Sequence, residues 1–119
     1  MFGSILKDTV NNVKGAHAAI LMGFDGIPVD MYTGGEDSDS DIEAIGMEFS
    51  VLLKEIQSAA QQLEAGNANE ITVRTEKLST IMRVLNDEYF LAIAVDANGN
   101  LGKARYLLRM AVPKLLEAL

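Results

Sequence analysis

Asp25-Gly26 stands between the apolar run Ala18-Ala19-Ile20-Leu21-Met22-Gly23-Phe24 and the shorter Ile27-Pro28-Val29. Asp-Gly supplies the left-handed backbone geometry of a tight hairpin, so the segment is expected to fold back as two antiparallel strands. A second punctuator, Asp96-Ala97-Asn98-Gly99, closes another apolar run and directly precedes a helical pattern. Asp25, Gly26, Asp96 and Gly99 are therefore read as turn residues of a small α/β scaffold. Both ends of the chain contribute to its sheet.

The rest of the chain divides by period. Phe2, Ile5, Leu6, Thr9, Val10 and Val13 recur at helical spacing, and Lys14-Gly15 supplies a stop, which predicts a short amphipathic helix. Ala16 to Phe24 is apolar on both faces and reads as an interior strand. Its mate carries Pro28, which cannot donate to a sheet ladder and belongs on an edge. Thr33 to Ser40 reads as a polar linker. Its acidic spacing suggests calcium, but the EF-hand pattern with its central Gly and terminal Glu is absent, so no metal is assigned. Asp39, Ser40 or Asp41 is expected to cap the helix that follows.

That helix, from about Ile42 to Leu63, is the longest in the pattern. Ile42, Ile45, Phe49, Leu52, Leu53, Ile56, Ala60 and Leu63 form a broad stripe suited to one face of a sheet. Ala44, Met47, Val51 and Ser58 make a second, weaker stripe. At about 1.5 Å per residue the helix would be roughly 33 Å long. Its surplus apolar surface implies broad burial within the chain or contact with another subunit. The second reading is preferred, because the other helices are assigned to the sheet's second face.

Glu70-Ile71-Thr72-Val73-Arg74-Thr75 alternates polar and apolar residues, as a half-solvated strand does. Leu78 to Leu85 reads as its hairpin mate, and Tyr89 to Val95, apolar on both faces, as a central strand. Asn100 can cap a last helix with the seam Leu101, Ala104, Leu108, Ala111, Leu115 and Ala118, broadened by Leu107 and Val112. Pro113 removes a backbone donor inside that helix and is expected to kink it. The order is helix, two strands, long helix, three strands, helix.

The 119 residues fit one domain, 1–119, with one core. Apolar residues at 49% and charged residues at 23% are those of a folded chain. Seventeen acidic against ten basic residues, a net charge of −7, argue against nucleic acid as a partner. With no cysteine, disulfides, thiolate metal sites and cysteine nucleophiles drop out. Met1 to Asp8 lacks the basic-then-apolar form of a secretory signal, and no apolar run reaches the roughly 18 to 20 residues that span a membrane. A cytoplasmic protein without direct membrane insertion is expected.

His17 is the one histidine and is read as packed or hydrogen-bonded rather than catalytic. Asp25, Asp30 and Asp96 all border turns, where Asp bonds the backbone, and none has an evident catalytic partner. No Gly-rich phosphate loop ends in Gly-Lys-Ser or Gly-Lys-Thr, so the chain is not read as a GTPase itself. No catalytic residue, cofactor or metal is assigned.

Gly15-Ala16-His17-Ala18-Ala19-Ile20-Leu21-Met22-Gly23-Phe24-Asp25-Gly26-Ile27-Pro28-Val29, the long helix after it, and Asp96 to Arg109 together resemble the Roadblock/LC7 family. Within that family the chain looks like the bacterial small-GTPase regulators of the MglB type. The resemblance implies an α-β-β-α-β-β-β-α sandwich: a central five-stranded antiparallel sheet, the long helix on one face and the terminal helices on the other. It also implies a dimer in which long helices meet and the strand at Glu70 to Thr75 joins its copy. On that reading Ala44, Met47, Val51, Ile71, Val73 and Arg74 are the dimerisation or partner-binding residues. Family members regulate small Ras-like GTPases, scaffold such regulators or connect dynein to cargo. A noncatalytic homodimer acting on a Ras-like GTPase is the leading expectation, with a scaffold or dynein-associated adaptor as the alternative.

Four arginines, Arg74, Arg83, Arg105 and Arg109, are candidate charge stabilisers of phosphoryl transfer. Arg105 and Arg109 fall four apart on the last helix and share a solvated face; Arg74 lines the exposed side of an edge strand. Solubility or surface pairing is the preferred account of each, and any GTPase activation is expected to act by ordering the partner's own catalytic loops.

Overall fold

A computed structural model describes residues 2–34 and 41–119. The elements follow the order α1 (Phe2–Asn11), β1 (Ala16–Gly23), β2 (Pro28–Thr33), α2 (Ile42–Gln62), β3 (Glu70–Arg74), β4 (Leu78–Val84), β5 (Tyr89–Asp96) and α3 (Leu101–Ala118). The strands form one antiparallel sheet in the order β2-β1-β5-β4-β3. β1 and β5, the two strands apolar on both faces, lie inside it, and the strand carrying Pro28 is an edge. This is the five-stranded α/β sandwich expected from the sequence.

Alternation along the central strands feeds two cores. Ala19 and Leu21 of β1 and Leu91, Ile93 and Val95 of β5 point to the side covered by α1 and α3, where they meet Leu6, Val10, Leu108 and Leu115. Ala18, Ile20, Met22, Phe90, Ala92 and Ala94 point to the other side, where Ile42 and Leu53 of α2 pack on them. Leu6, Leu108 and Leu115 in the first core and Leu53 in the second are all at zero exposure. α2 rests on β1, β2 and β5, so that β3 and β4 extend past it.

The turns form as their chemistry dictates. Gly26 has φ +86°, and the Asp25 Oδ1 accepts from the Ile27 amide at 3.0 Å. Gly23 N donates to Ile27 O at 2.9 Å, closing the hairpin. The second punctuator works by close approach instead. Gly99 N donates to Asp96 O at 2.8 Å and Asn100 N to Lys14 O at 2.9 Å, so β5–α3 and α1–β1 are laced together where neither Gly15 nor Gly99 carries a side chain. Asp41 and Asn100 cap α2 and α3, accepting from Ala44 N at 3.1 Å and Lys103 N at 3.0 Å; the alternative caps Asp39 and Ser40 lie outside the described residues.

Three local expectations shift. β1 stops at Gly23, and the Phe24 ring that follows packs at a tilt of 48° against Phe90, ring centroids 5.3 Å apart. Leu63 leaves the buried stripe: it caps α2 and is 78% exposed, since the helix end runs beyond the core. α3 continues through Pro113 to Ala118 as one helix. Ala111 and Leu115, on either side of the proline, remain in the core and hold the last turns in place.

Candidate functional site

The face of α2 turned away from the sheet is not fully polar. At about 100° per residue, Ala44, Met47, Val51 and Ser58 fall within an arc of roughly 60° opposite Ile42 and Leu53. Met47 is 52% and Val51 54% exposed, and Ala44 is exposed beside them. Removing such side chains from water is favourable, and a contiguous exposed ridge of them marks a contact surface more than a scattered pair would. Glu43, Glu48, Lys54 and Glu55 flank the ridge.

A second unpartnered feature adjoins it. β3 pairs with β4 along Glu70↔Arg83, Ile71↔Met82, Thr72↔Ile81, Val73↔Thr80 and Arg74↔Ser79, and among the described residues no strand pairs on its other side. Its outer row of backbone donors and acceptors is therefore open to another strand. Ile71 and Val73 face the α2 side, half-buried against Leu78, Met82 and Val84. Because α2 stops short of β3, this part of the sheet is only partly roofed. Lys54, Gln57, Ser58 and Gln61 of α2 look across a cleft of about 480 Å³ to Asn69, Val84 and Asp87. Gln57 spans part of that gap, donating to Ala68 O at 3.0 Å and accepting from Ala68 N at 2.8 Å.

The six residues expected at a partner surface thus fall into separate groups. Ala44, Met47 and Val51 form the helix ridge; Ile71 and Val73 lie on the under-roofed sheet face; Arg74 is exposed on the opposite face of the same edge strand. Asp25, Gly26, Asp96 and Gly99 all sit in connections or at their margins.

The carboxylates that might act as catalysts are dispersed. Asp25 bonds the backbone of its own turn, and Asp30 accepts from the Met31 amide at 2.8 Å. Asp96 Oδ1 meets His17 Nε2, joining the start of β1 to the end of β5. His17 is thereby hydrogen-bonded. Among the described residues no group of three or more His, Cys, Asp or Glu could hold a metal ion, and no helix is long and apolar enough to cross a membrane.

The arginines are arranged less simply than their sequence spacing suggested. Arg105 does not merely face solvent: its Nε and Nη2 both donate to Glu70 Oε2, at 3.2 and 2.8 Å. That hydrogen bond, and then the carboxylate's charge, raise the Arg105 pKa above its ordinary value. Arg83 and Arg109 line a second cleft together with Glu70 and Arg105. Arg83 is among the arginines the sequence singles out, but Glu70 as their partner is not, because only the β3–β4 register places Glu70 and Arg83 opposite each other. The alternation of Glu70-Ile71-Thr72-Val73-Arg74 against Leu78 to Val84 was the available signal.

With sheet order and helix placement established, the sequence relationship is decisive: the Roadblock/LC7 domain family matches residues 4–95. The chain belongs to the Roadblock/LC7 family. MglC from Myxococcus xanthus shares 40% identity over 98% of this chain and 97% of its own, with a TM-score of 0.71. A Roadblock/LC7 domain from Streptomyces avermitilis shares the fold at 16% identity, covering 97% and 94% with a TM-score of 0.84. The gliding protein MglB from Thermus thermophilus does so too, at 16% identity, 98% and 88% coverage and a TM-score of 0.84. No curated protein matches the chain.

Proposed function

We propose that the chain, taken over 1–119 as one domain, is a noncatalytic homodimeric module that regulates a small Ras-like GTPase. The observation that carries the dimer is the coincidence of three unfinished surfaces on one side of the molecule. They are the Met47–Val51 ridge, the open edge of β3, and the under-roofed sheet around Ile71 and Val73. A second copy related by a two-fold axis would complete all of them together: its β3 would extend the sheet, and its α2 would lie beside this one over the exposed half. An isologous contact of that kind satisfies the edge backbone and prevents further sheet growth.

Family membership supports the GTPase as partner, and the cytoplasm as the compartment. A dimer of this shape presents a continuous surface on which the loops of a GTPase could be ordered, with hydrolysis left to the partner's own groups. Arg105, exposed near the edge strand, is engaged by Glu70, which supports a mechanism in which it is not the inserted arginine.

Two measurements test this. Met47→Glu and Val51→Glu place a charge in the ridge, and an unpaired charge resists burial; sedimentation of each variant should show a shift to monomer while circular dichroism stays native. An unchanged dimer would remove the ridge from the interface. Mixing the protein with GTP-loaded Ras-like GTPases from the same cells should give complex formation and faster phosphate release. Complex without acceleration selects a scaffold, and absence of binding in every nucleotide state refutes the GTPase reading.

A further inference from the structure

Arg83, Arg105 and Arg109 line one cleft of about 280 Å³ between the β3–β4 edge and the first turns of α3, together with Glu70, Gly102 and Tyr106. Strand register brings Glu70 and Arg83 opposite each other, and the four-residue spacing of Arg105 and Arg109 stacks them on successive turns. Glu70 commits one oxygen to Arg105. Its other oxygen lies 4.0 Å from Arg83 Nη1, too far for a hydrogen bond. Arg83 Nε is buried with no hydrogen-bond partner. Among the described residues Arg109 has neither a hydrogen bond nor an ion pair.

Three guanidinium groups therefore line a cleft that holds a single carboxylate, in a chain whose net charge is −7. Clustering them costs self-repulsion, and leaving Arg83 Nε buried and unpaired costs its desolvation. An anion in the cleft relieves the repulsion.

We propose that this cleft binds a phosphoryl dianion, held by Arg83 and Arg109, with Arg105 divided between it and Glu70. The charge selects the ligand. Three arginines less one glutamate leave a surplus of two positive charges, which a phosphate monoester matches and a lone carboxylate does not. The geometry agrees, since guanidinium forks pair with phosphate oxygens in bidentate fashion. Glu70 is the internal competitor: it occupies Arg105 when the cleft is empty and sets a threshold that weaker anions do not pass. The same chemistry is offered by free phosphate or a small phosphate ester and by a phosphorylated side chain of a partner protein.

The arginine Nε–H signals of the full-length protein report the site directly by heteronuclear NMR. Inorganic phosphate and a phosphoserine tripeptide flanked by glycines are titrated separately, with acetate as the carboxylate control. Saturable shifts at Arg83 and Arg109 are expected. Arg109→Gln, which breaks no hydrogen bond or ion pair within the fold, should weaken binding about tenfold or more, the loss of charge-assisted hydrogen bonds, with an unchanged melting temperature. Glu70→Gln should tighten it. Tighter binding of the phosphopeptide than of phosphate identifies a protein side chain as the source, and equal or tighter binding of phosphate identifies the free anion. Absence of saturation by both probes, undiminished affinity in Arg109→Gln, or acetate binding as tight as phosphate overturns the proposal.

Discussion

Gly99→Ala puts a methyl carbon 2.3 Å from Val95 Cγ1, 2.8 Å from the Lys14 carbonyl oxygen and 3.2 Å from the Asp96 carbonyl oxygen. Two of these neighbours are backbone and cannot rotate aside. The segment that must yield is Lys14–Gly15, which accepts from Asn100 N at 2.9 Å and Asp96 N at 2.8 Å. Gly15 offers no slack, because a Cβ built on it would itself lie 2.8 Å from Gly99 Cα. Overpacking costs about 1–3 kcal/mol and weakening one of the two hydrogen bonds about 1 more, so the variant should lose about 2–4 kcal/mol. With an unfolding entropy near 2.1 cal/mol/K per residue, a chain of this length loses about 4 °C per kcal/mol, so the melting temperature should fall by about 8–16 °C. Gly26→Ala is the control. Its φ of +86° disfavours alanine, a strain that Gly99 does not carry, but nothing lies within 4 Å of the new methyl, leaving backbone strain of about 1–2 kcal/mol, or about 4–8 °C. Calorimetry of the three proteins at one concentration decides the matter. If Gly99→Ala melts within about 2 °C of the parent, or above Gly26→Ala, the junction is not close-packed as described.

Pro113→Ala should stabilise the protein by about 1–3 kcal/mol, because it restores a hydrogen bond inside α3 at an exposed position; urea titration would show a higher midpoint at unchanged slope. Leu53→Ala, at the one fully enclosed leucine of α2, should cost about 2–5 kcal/mol by opening a cavity in the α2-side core, read by the same titration. Asn100→Ala and Asp41→Ala each remove a cap and should cost about 1 kcal/mol. Amide exchange should quicken in the first turn of the affected helix and not in the other; equal effects on both helices would contradict local capping.

The elements were legible because their signals are local. Phe2 to Val13 and Ile42 to Leu63 carry a helical period, Glu70 to Arg74 a strand period, and Pro28 announces an edge through a missing donor. The Met47 and Val51 ridge was readable too, since a helix that packs on a sheet has one stripe to bury and this one has two. The exposure of Leu63 was less so, because periodicity does not say where a helix overruns the core it covers. Glu70, Arg83 and Arg105 come from three different elements. Their convergence depends on the β3–β4 register and on where α3 crosses the sheet, which no local pattern encodes.

Sequence alone determined which residues turn, which alternate and which must hide: Asp25-Gly26 for the hairpin, two doubly apolar strands for the interior, and a long helix with apolar residues to spare. Those follow from backbone sterics and from the transfer of side chains out of water, and both act over a few residues. Tertiary structure alone decided that Gly15 and Gly99 meet, that α2 leaves β3 half-covered, and that Arg83, Arg105 and Arg109 line one cleft with Glu70. Those depend on distances between segments far apart in the chain, fixed only when the sheet closes its register and the helices settle on its two faces.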